Sequence, residues 1–156
     1  MIKRLLFLMM LCMSMAVVKG QDFSVMSDGQ GHNGEYIVIV VVSTKKNPAK
    51  EAENLVKEYA VRGVMFRGVA PYKEHPGQKP LIGDPAVEQV KGKELQAFWR
   101  EKLYLNYAIL QPQSLSVMKN KQTKMYETTA RLTINKELLI KWLEDNGIIQ
   151  GFSNLW

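Results

Sequence analysis

His32 and His75 are the only two imidazoles in the chain. With Asp28, Glu35 and Glu74 they form the one set of residue types suited to holding a metal ion. Their placement works against it. The ligands would come from a Gly-bearing polar segment and a Pro-rich one, without the i, i+4 helical spacing that pre-orders a metal-binding pair. A working site also needs partners that orient each ligand. Solvated loop side chains are the expected state, and no cofactor is expected.

Nucleophilic chemistry fares no better. The single Cys, Cys12, excludes a disulfide scaffold and a Cys-built zinc site within one chain. No Ser sits in a Gly-x-Ser-x-Gly elbow. Gly29-Gln30-Gly31-His32-Asn33-Gly34 has the glycine content of a phosphate loop, but it precedes a strand-like run instead of following one and opening a helix. Lys45, Lys46, Lys50, Lys57, Arg62 and Arg67, with Lys119, Lys121 and Lys124, would make a single-strand-binding surface if Tyr72, Tyr104, Tyr107 and Tyr126 interleaved with them. Glu51, Glu53 and Glu58 lie among those cations. Solvated lysines and core tyrosines are the plainer reading.

Charge arithmetic supports it. The 156 residues carry 21 Lys+Arg against 15 Asp+Glu, a formal +6. Residues 1–20 read MIKRLLFLMMLCMSMAVVKG: a basic start at Lys3-Arg4, an apolar run from Leu5 to Val18, and a small residue at Gly20. That is the pattern of a secretory signal, too short in its apolar part for a membrane span of ~20 residues. Cleavage is expected between Gly20 and Gln21. Leu11 before Cys12 is too large for lipoprotein processing. The segment holds three of the basic residues and no acid, so the remaining chain carries +3. A nucleic-acid partner is therefore not expected, and after cleavage neither is a membrane span. With 46% hydrophobic and 23% charged residues, the remainder suits one folded domain.

The elements follow from periodicity. Gln21–Glu35 is polar and reads as a flexible N-terminal arm. Tyr36–Val42 is a continuous β-branched run, a strand apolar on both faces. Asn47-Pro48 opens a helix to Arg62, with Ala52, Leu55, Val56, Tyr59 and Ala60 on one face. Gly63 is placed for a left-handed cap. Val64–Val69 then reads as a second strand, closing a parallel βαβ unit. Residues 70–85 hold four of the six Pro and form a long loop. Asp84-Pro85 starts a second helix running from Ala86 to about Leu103, with Val87, Val90, Leu95, Phe98 and Trp99 inward and Gly92 weakening its middle.

Asn106–Met118 and the alternating Thr123–Ile134 read as an antiparallel hairpin, with Tyr126, Thr128, Ala130, Leu132 and Ile134 on one face. Pro112 places part of its first arm at an edge or bulge. Asn135 caps a last helix, Lys136–Asp145, whose stripe is Leu138, Leu139, Trp142 and Leu143. Asn146-Gly147 ends it, with Ile148 set for the accompanying contact. The sum is an α+β fold: a small mixed sheet with a βαβ unit, a second helix, an antiparallel hairpin and a C-terminal helix, helices mainly on one face. The domains are 1–20 signal, 21–35 arm and 36–156 body. Val38, Val40, Val56, Phe66, Leu132, Leu138 and Trp142 are the expected core.

Three stretches carry a resemblance: Tyr36–Val42 with its Ala-bearing helix and Arg62-Gly63-Val64-Met65-Phe66-Arg67-Gly68-Val69; Gln78-Lys79-Pro80-Leu81; and Ile134-Asn135-Lys136-Glu137-Leu138 through Asn146-Gly147-Ile148-Ile149-Gln150-Gly151-Phe152. The chain resembles an uncharacterised family of small secreted proteins of gut-type Gram-negative bacteria. More distantly it is similar to small envelope lipoproteins and to a flagellar assembly protein domain. The resemblance supplies no catalytic residue.

A signal, one domain, no catalytic constellation and an apolar tail together point to an exported, non-catalytic binding or assembly module of the cell envelope, periplasmic or secreted. A small periplasmic hydrolase using loop 70–85 and a weak polyanion binder are the alternatives. The candidate interaction surface is Tyr72, Lys73 and His75 on the loop, with Phe152 and Trp156 in the tail, where an envelope protein partner is expected to dock.

Overall fold

The computed structural model describes residues 22–151 apart from 33 and 85. Strands β1 (Phe23–Gln30) and β2 (Tyr36–Thr44) come first, followed by helix α1 (Ala52–Arg62), which runs on as a π-helical turn, Gly63–Arg67. Two short helices follow, α2 (Val87–Val90) and α3 (Gly92–Arg100), then a 3-10 turn at Leu103–Asn106. Strands β3 (Ala108–Leu110), β4 (Ser116–Lys119) and β5 (Tyr126–Ile134) precede the last helix, α4 (Lys136–Asp145). The sheet order is β1-β2-β5-β3, with β4 also on β5. All four strand pairings are antiparallel. The fold is α+β.

Burial alternates strictly along β2, with Tyr36, Val38, Val40, Val42 and Thr44 inward. In β5 the inward residues are Thr128, Ala130, Leu132 and Ile134, the face read from the sequence. Helix α1 lays Ala52, Val56, Ala60 and Val61 on that face. An aromatic cluster joins the other helices to it. Phe98 of α3 meets Trp142 of α4 at 4.4 Å and Tyr107 at 5.8 Å between ring centroids. Caps fall where the side chains allow them. Asn135 Oδ1 accepts from the Leu138 amide at 3.1 Å and caps α4, whereas Asn47 Oδ1 accepts from Ala49 at 3.0 Å in a turn ahead of α1, which begins at Ala52 instead of at the expected Asn47-Pro48. At the end of α4, Gly147 takes φ +62 and the Ile148 amide reaches back to the Leu143 carbonyl at 2.8 Å, with Ile148 buried.

Five further expectations are corrected. The polar arm is strand β1: its alternate residues Val25 and Ser27 are buried while Ser24 is exposed. The sequence looked polar because one face of the strand is wet. The Gly-rich segment is the turn to β2, with Gly29 and Gly34 at positive φ.

The expected strand Val64–Val69 is mostly helical, so no βαβ unit forms and the sheet is not mixed. Gly63 keeps helical angles instead of capping, and the chain leaves the helix at Gly68, φ +80. Apolar Val64 and Met65 are buried equally well in a helix lying on β1, which is why the run of apolar residues misled. Val69 and Ala70 then run extended, and Ala70 bridges in parallel to Met26.

The helix expected over 86–103 breaks at Lys91, beside Gly92, leaving Val90 76% exposed. The first arm of the hairpin is split into β3 and β4 around Pro112. In α4 the buried residues are Leu139 and Leu143, while Leu138 is 51% exposed and Trp142 half-buried. Phe66 is also half-buried.

Candidate functional site

Two surfaces hold the features able to bind something. The first is the sheet face opposite the helices. Pairing register fixes its rows: Met26, Ile39 and Arg131; Ile37, Thr133 and Ile109; Val41, Thr129 and Ser116. Among the described residues no helix packs on this face. Ile37, Ile39 and Val41 are half-buried by their own neighbours, while Ile109 and Met118 are 61% and 65% exposed. A polar seam crosses it. Arg131 Nε donates to Asp28 Oδ2, Arg131 Nη1 donates to Gln111 Oε1 at 2.8 Å, and Gln111 Nε2 donates to Thr133 Oγ1 at 3.3 Å. The result is a flat β-branched surface whose charges are already paired to each other.

The second is a cleft of about 380 Å³ lined by Ser27, Gly29, Gln30, Tyr36, His75, Pro76 and Gln78. It opens where β1 turns into β2. The loop that frames it is held by two short ladders. Val69 and Gln78 exchange both backbone bonds at 2.7 and 2.8 Å, and Tyr72 and His75 exchange theirs at 3.0 and 3.1 Å. Gly77 is required at the crossing, because a Cβ there would lie 2.6 Å from the Val69 carbonyl.

Of the residues expected at an interaction surface, Tyr72 and Lys73 form the tip of this loop. Lys73 has φ +51 and its ammonium lies 5.1 Å from the Tyr72 ring centroid. His75 enters the cleft, its imidazole against Gly29. Phe152 and Trp156 lie outside the described residues. The loop residues and the open sheet face are distinct surfaces. The open face is hidden in the sequence because the polar residues of β1 suit an arm as well as a strand; the alternation of Val25 and Ser27 with Met26 and Asp28 is the signal that points to it.

The polyanion reading is weakened by where the cations go. Lys57 and Arg62 pair with Glu53 and Glu58 on their own helix at 2.6 and 2.9 Å. The Arg62 guanidinium also stacks on Trp99 at 4.0 Å, and Arg67 stacks on Phe23 at 3.9 Å. Tyr104 is buried and Tyr107 stacks on Phe98.

The side chains with displaced ionisation are Tyr59, Tyr104 and Tyr107. Burial raises all three, and the Glu58 carboxylate adds to the effect at Tyr59 and Tyr104. None of them lines the cleft. Ser27 and His75 do line it, and they share no hydrogen bond, so the nucleophile–base contact of a hydrolase is not made there. Among the described residues no group of three or more His, Cys, Asp or Glu is placed to hold a metal, and no helix is long and apolar enough to cross a membrane.

Comparison with family models, with curated proteins and with solved structures finds no match to this chain. The family resemblance therefore rests on the quoted segments alone.

Proposed function

We propose that this chain is an exported, non-catalytic binding module that docks an envelope protein against the open face of its sheet. The observation that carries this reading is the row of Ile37, Ile39 and Val41 with Ile109 and Met118, uncovered by any described helix and crossed by a self-paired Asp28–Arg131 seam. A sheet whose outer face stayed in water would put polar residues at every second position of β2. Here both faces of β2 are apolar from Ile37 to Val42.

Size sets the kind of complex. Four strands spaced by about 4.8 Å and up to nine residues rising about 3.3 Å each give roughly 500–600 Å² of face. That is below the ~800 Å² per partner of a standard stable interface. A reversible contact fits, or one extended by a second element. The tail residues Phe152 and Trp156 serve as that second element in this reading.

The test is capture from the protein's own envelope fraction by the wild-type chain and by an Ile109→Glu, Met118→Glu variant. Both side chains are exposed, so the fold tolerates the change. Loss of a discrete partner with unchanged melting supports the reading; equal capture by both proteins contradicts it.

A further inference from the structure

The geometry points to the cleft between the β1–β2 turn and the 75–78 segment as a binding site for a small organic carboxylate that also carries amide groups. Its volume, about 380 Å³, lies within the range of small-molecule sites. The site rests on a different surface from the docking face and stands or falls independently of it.

Free hydrogen-bonding capacity converges there. Ser27 is 3% exposed and Tyr36 is 7% exposed, and neither hydroxyl has a hydrogen-bond partner among the described residues. The same holds for the His75 imidazole and the Gln30 amide. Thr128 Oγ1 is the one enclosed side-chain polar atom without a partner among the described residues, so the Ser27 and Tyr36 hydroxyls are reachable from the cleft, and with the half-buried His75 and the exposed Gln30 they line it with unused donors and acceptors that an entering ligand can meet. Gln78 is pre-positioned: its Oε1 accepts from Lys136 Nζ at 3.1 Å, which leaves its NH₂ group to donate.

Charge selects the ligand. The Lys136 ammonium stands at the cleft edge, 4.8 Å from the Tyr36 ring centroid. Both groups it touches, the ring and Gln78 Oε1, are uncharged, and it belongs to none of the ion pairs among the described residues. No lining residue is acidic. An ammonium with two unused donors beside a cleft without carboxylates favours an anion. Glu35, on the neighbouring turn against Gly31, and Glu137, in the first turn of α4 against Gly34, bring carboxylates to that side. They oppose a dianion more than a monoanion, which favours a carboxylate over a phosphate. The two glutamine amides complement an amide group in both donor and acceptor.

The test uses the full chain, isotopically labelled, and the probe N-acetyl-alanyl-alanine. Its C-terminal amide and inorganic phosphate are the comparison probes. Saturable shifts at the amides of Gly29, Gln30, His75 and Gln78 are expected with the free acid, with binding of the amide weaker by about tenfold or more, a difference of ~1.4 kcal/mol. Lys136→Gln should weaken the acid by a similar factor and Lys136→Arg should retain it. Gln30→Ala, on an exposed side chain, should weaken both acid and amide. No saturable shift at millimolar probe, equal binding of acid and amide, tighter binding of phosphate, or an unaffected Lys136→Gln would each overturn the assignment.

Discussion

Asp28 on β1 and Arg131 on β5 pair across β2, which lies between their strands. The contact ties the first strand to the middle of the sheet over the top of Ile39, the residue opposite Arg131. Its side chains remain 16% and 42% exposed, so water screens the attraction. A double-mutant cycle with Asp28→Asn and Arg131→Met, read by denaturant melts, should give a coupling of about 0.5–1 kcal/mol that shrinks as salt is added. A coupling near zero would mean the pair does not hold β1.

Gly63 touches β1 through its missing side chain. A Cβ built there overlaps Val25 Cγ2, although the backbone angles at Gly63 are ordinary for a helix. The glycine serves close approach, not backbone freedom. Gly63→Ala should therefore destabilise by about 1–3 kcal/mol, the usual cost of overpacking. In a Val25→Ala background the same change should cost much less. Equal costs in both backgrounds would show that α1 does not rest on Val25.

Thr128 is fully buried on the helix-facing side of β5, and its hydroxyl has no hydrogen-bond partner among the described residues. Its cross-strand neighbour Val42 is also fully buried and apolar. Thr128→Val keeps the shape and removes an unpaired polar group, so it should stabilise by roughly 1 kcal/mol. A measured loss would mean that the hydroxyl is satisfied in solution.

Tyr59, Tyr104 and Tyr107 are held protonated above the ordinary tyrosine value of 10.0, first by burial and, at Tyr59 and Tyr104, then by Glu58. The folded value exceeds the unfolded one, so the stability these groups contribute is complete below the unfolded value and declines as pH rises toward the folded value. Tyrosinate absorbance should show half of the six tyrosines ionising late, together with loss of fold above about pH 10. Six tyrosines ionising together at the ordinary value, in a folded protein, would contradict the packing.

Legibility in the sequence tracked how many structures a pattern admits. β2 is plain because a continuous β-branched run suits a strand better than a helix, and β5 because its alternation turns only one face to the core. The caps at Asn135 and Gly147 were plain because each is a local geometry with its own residue type. Val64–Phe66 was ambiguous: three apolar residues after a Gly suit a strand or a buried helical turn, and only the contact with Val25 decides between them. Leu138 and Leu139 sit side by side in the sequence, and only the way α4 is seated on the common core decides that the second is the one enclosed. The open face was hidden for a tertiary reason, since Met26 and Asp28 acquire meaning only once Phe23–Gln30 is seen to pair with β2.

The docking face is tested most directly by position-resolved photo-crosslinking in the intact envelope. A photoreactive side chain at Ile109 or Met118 reports the open sheet face; one at Val90 or Gln96 reports the helical side, where Val90 is itself apolar and 76% exposed. The account predicts one discrete adduct shared by positions 109 and 118 and none at 90 or 96. Adducts confined to the helical side, or of equal yield at all four positions, would contradict it.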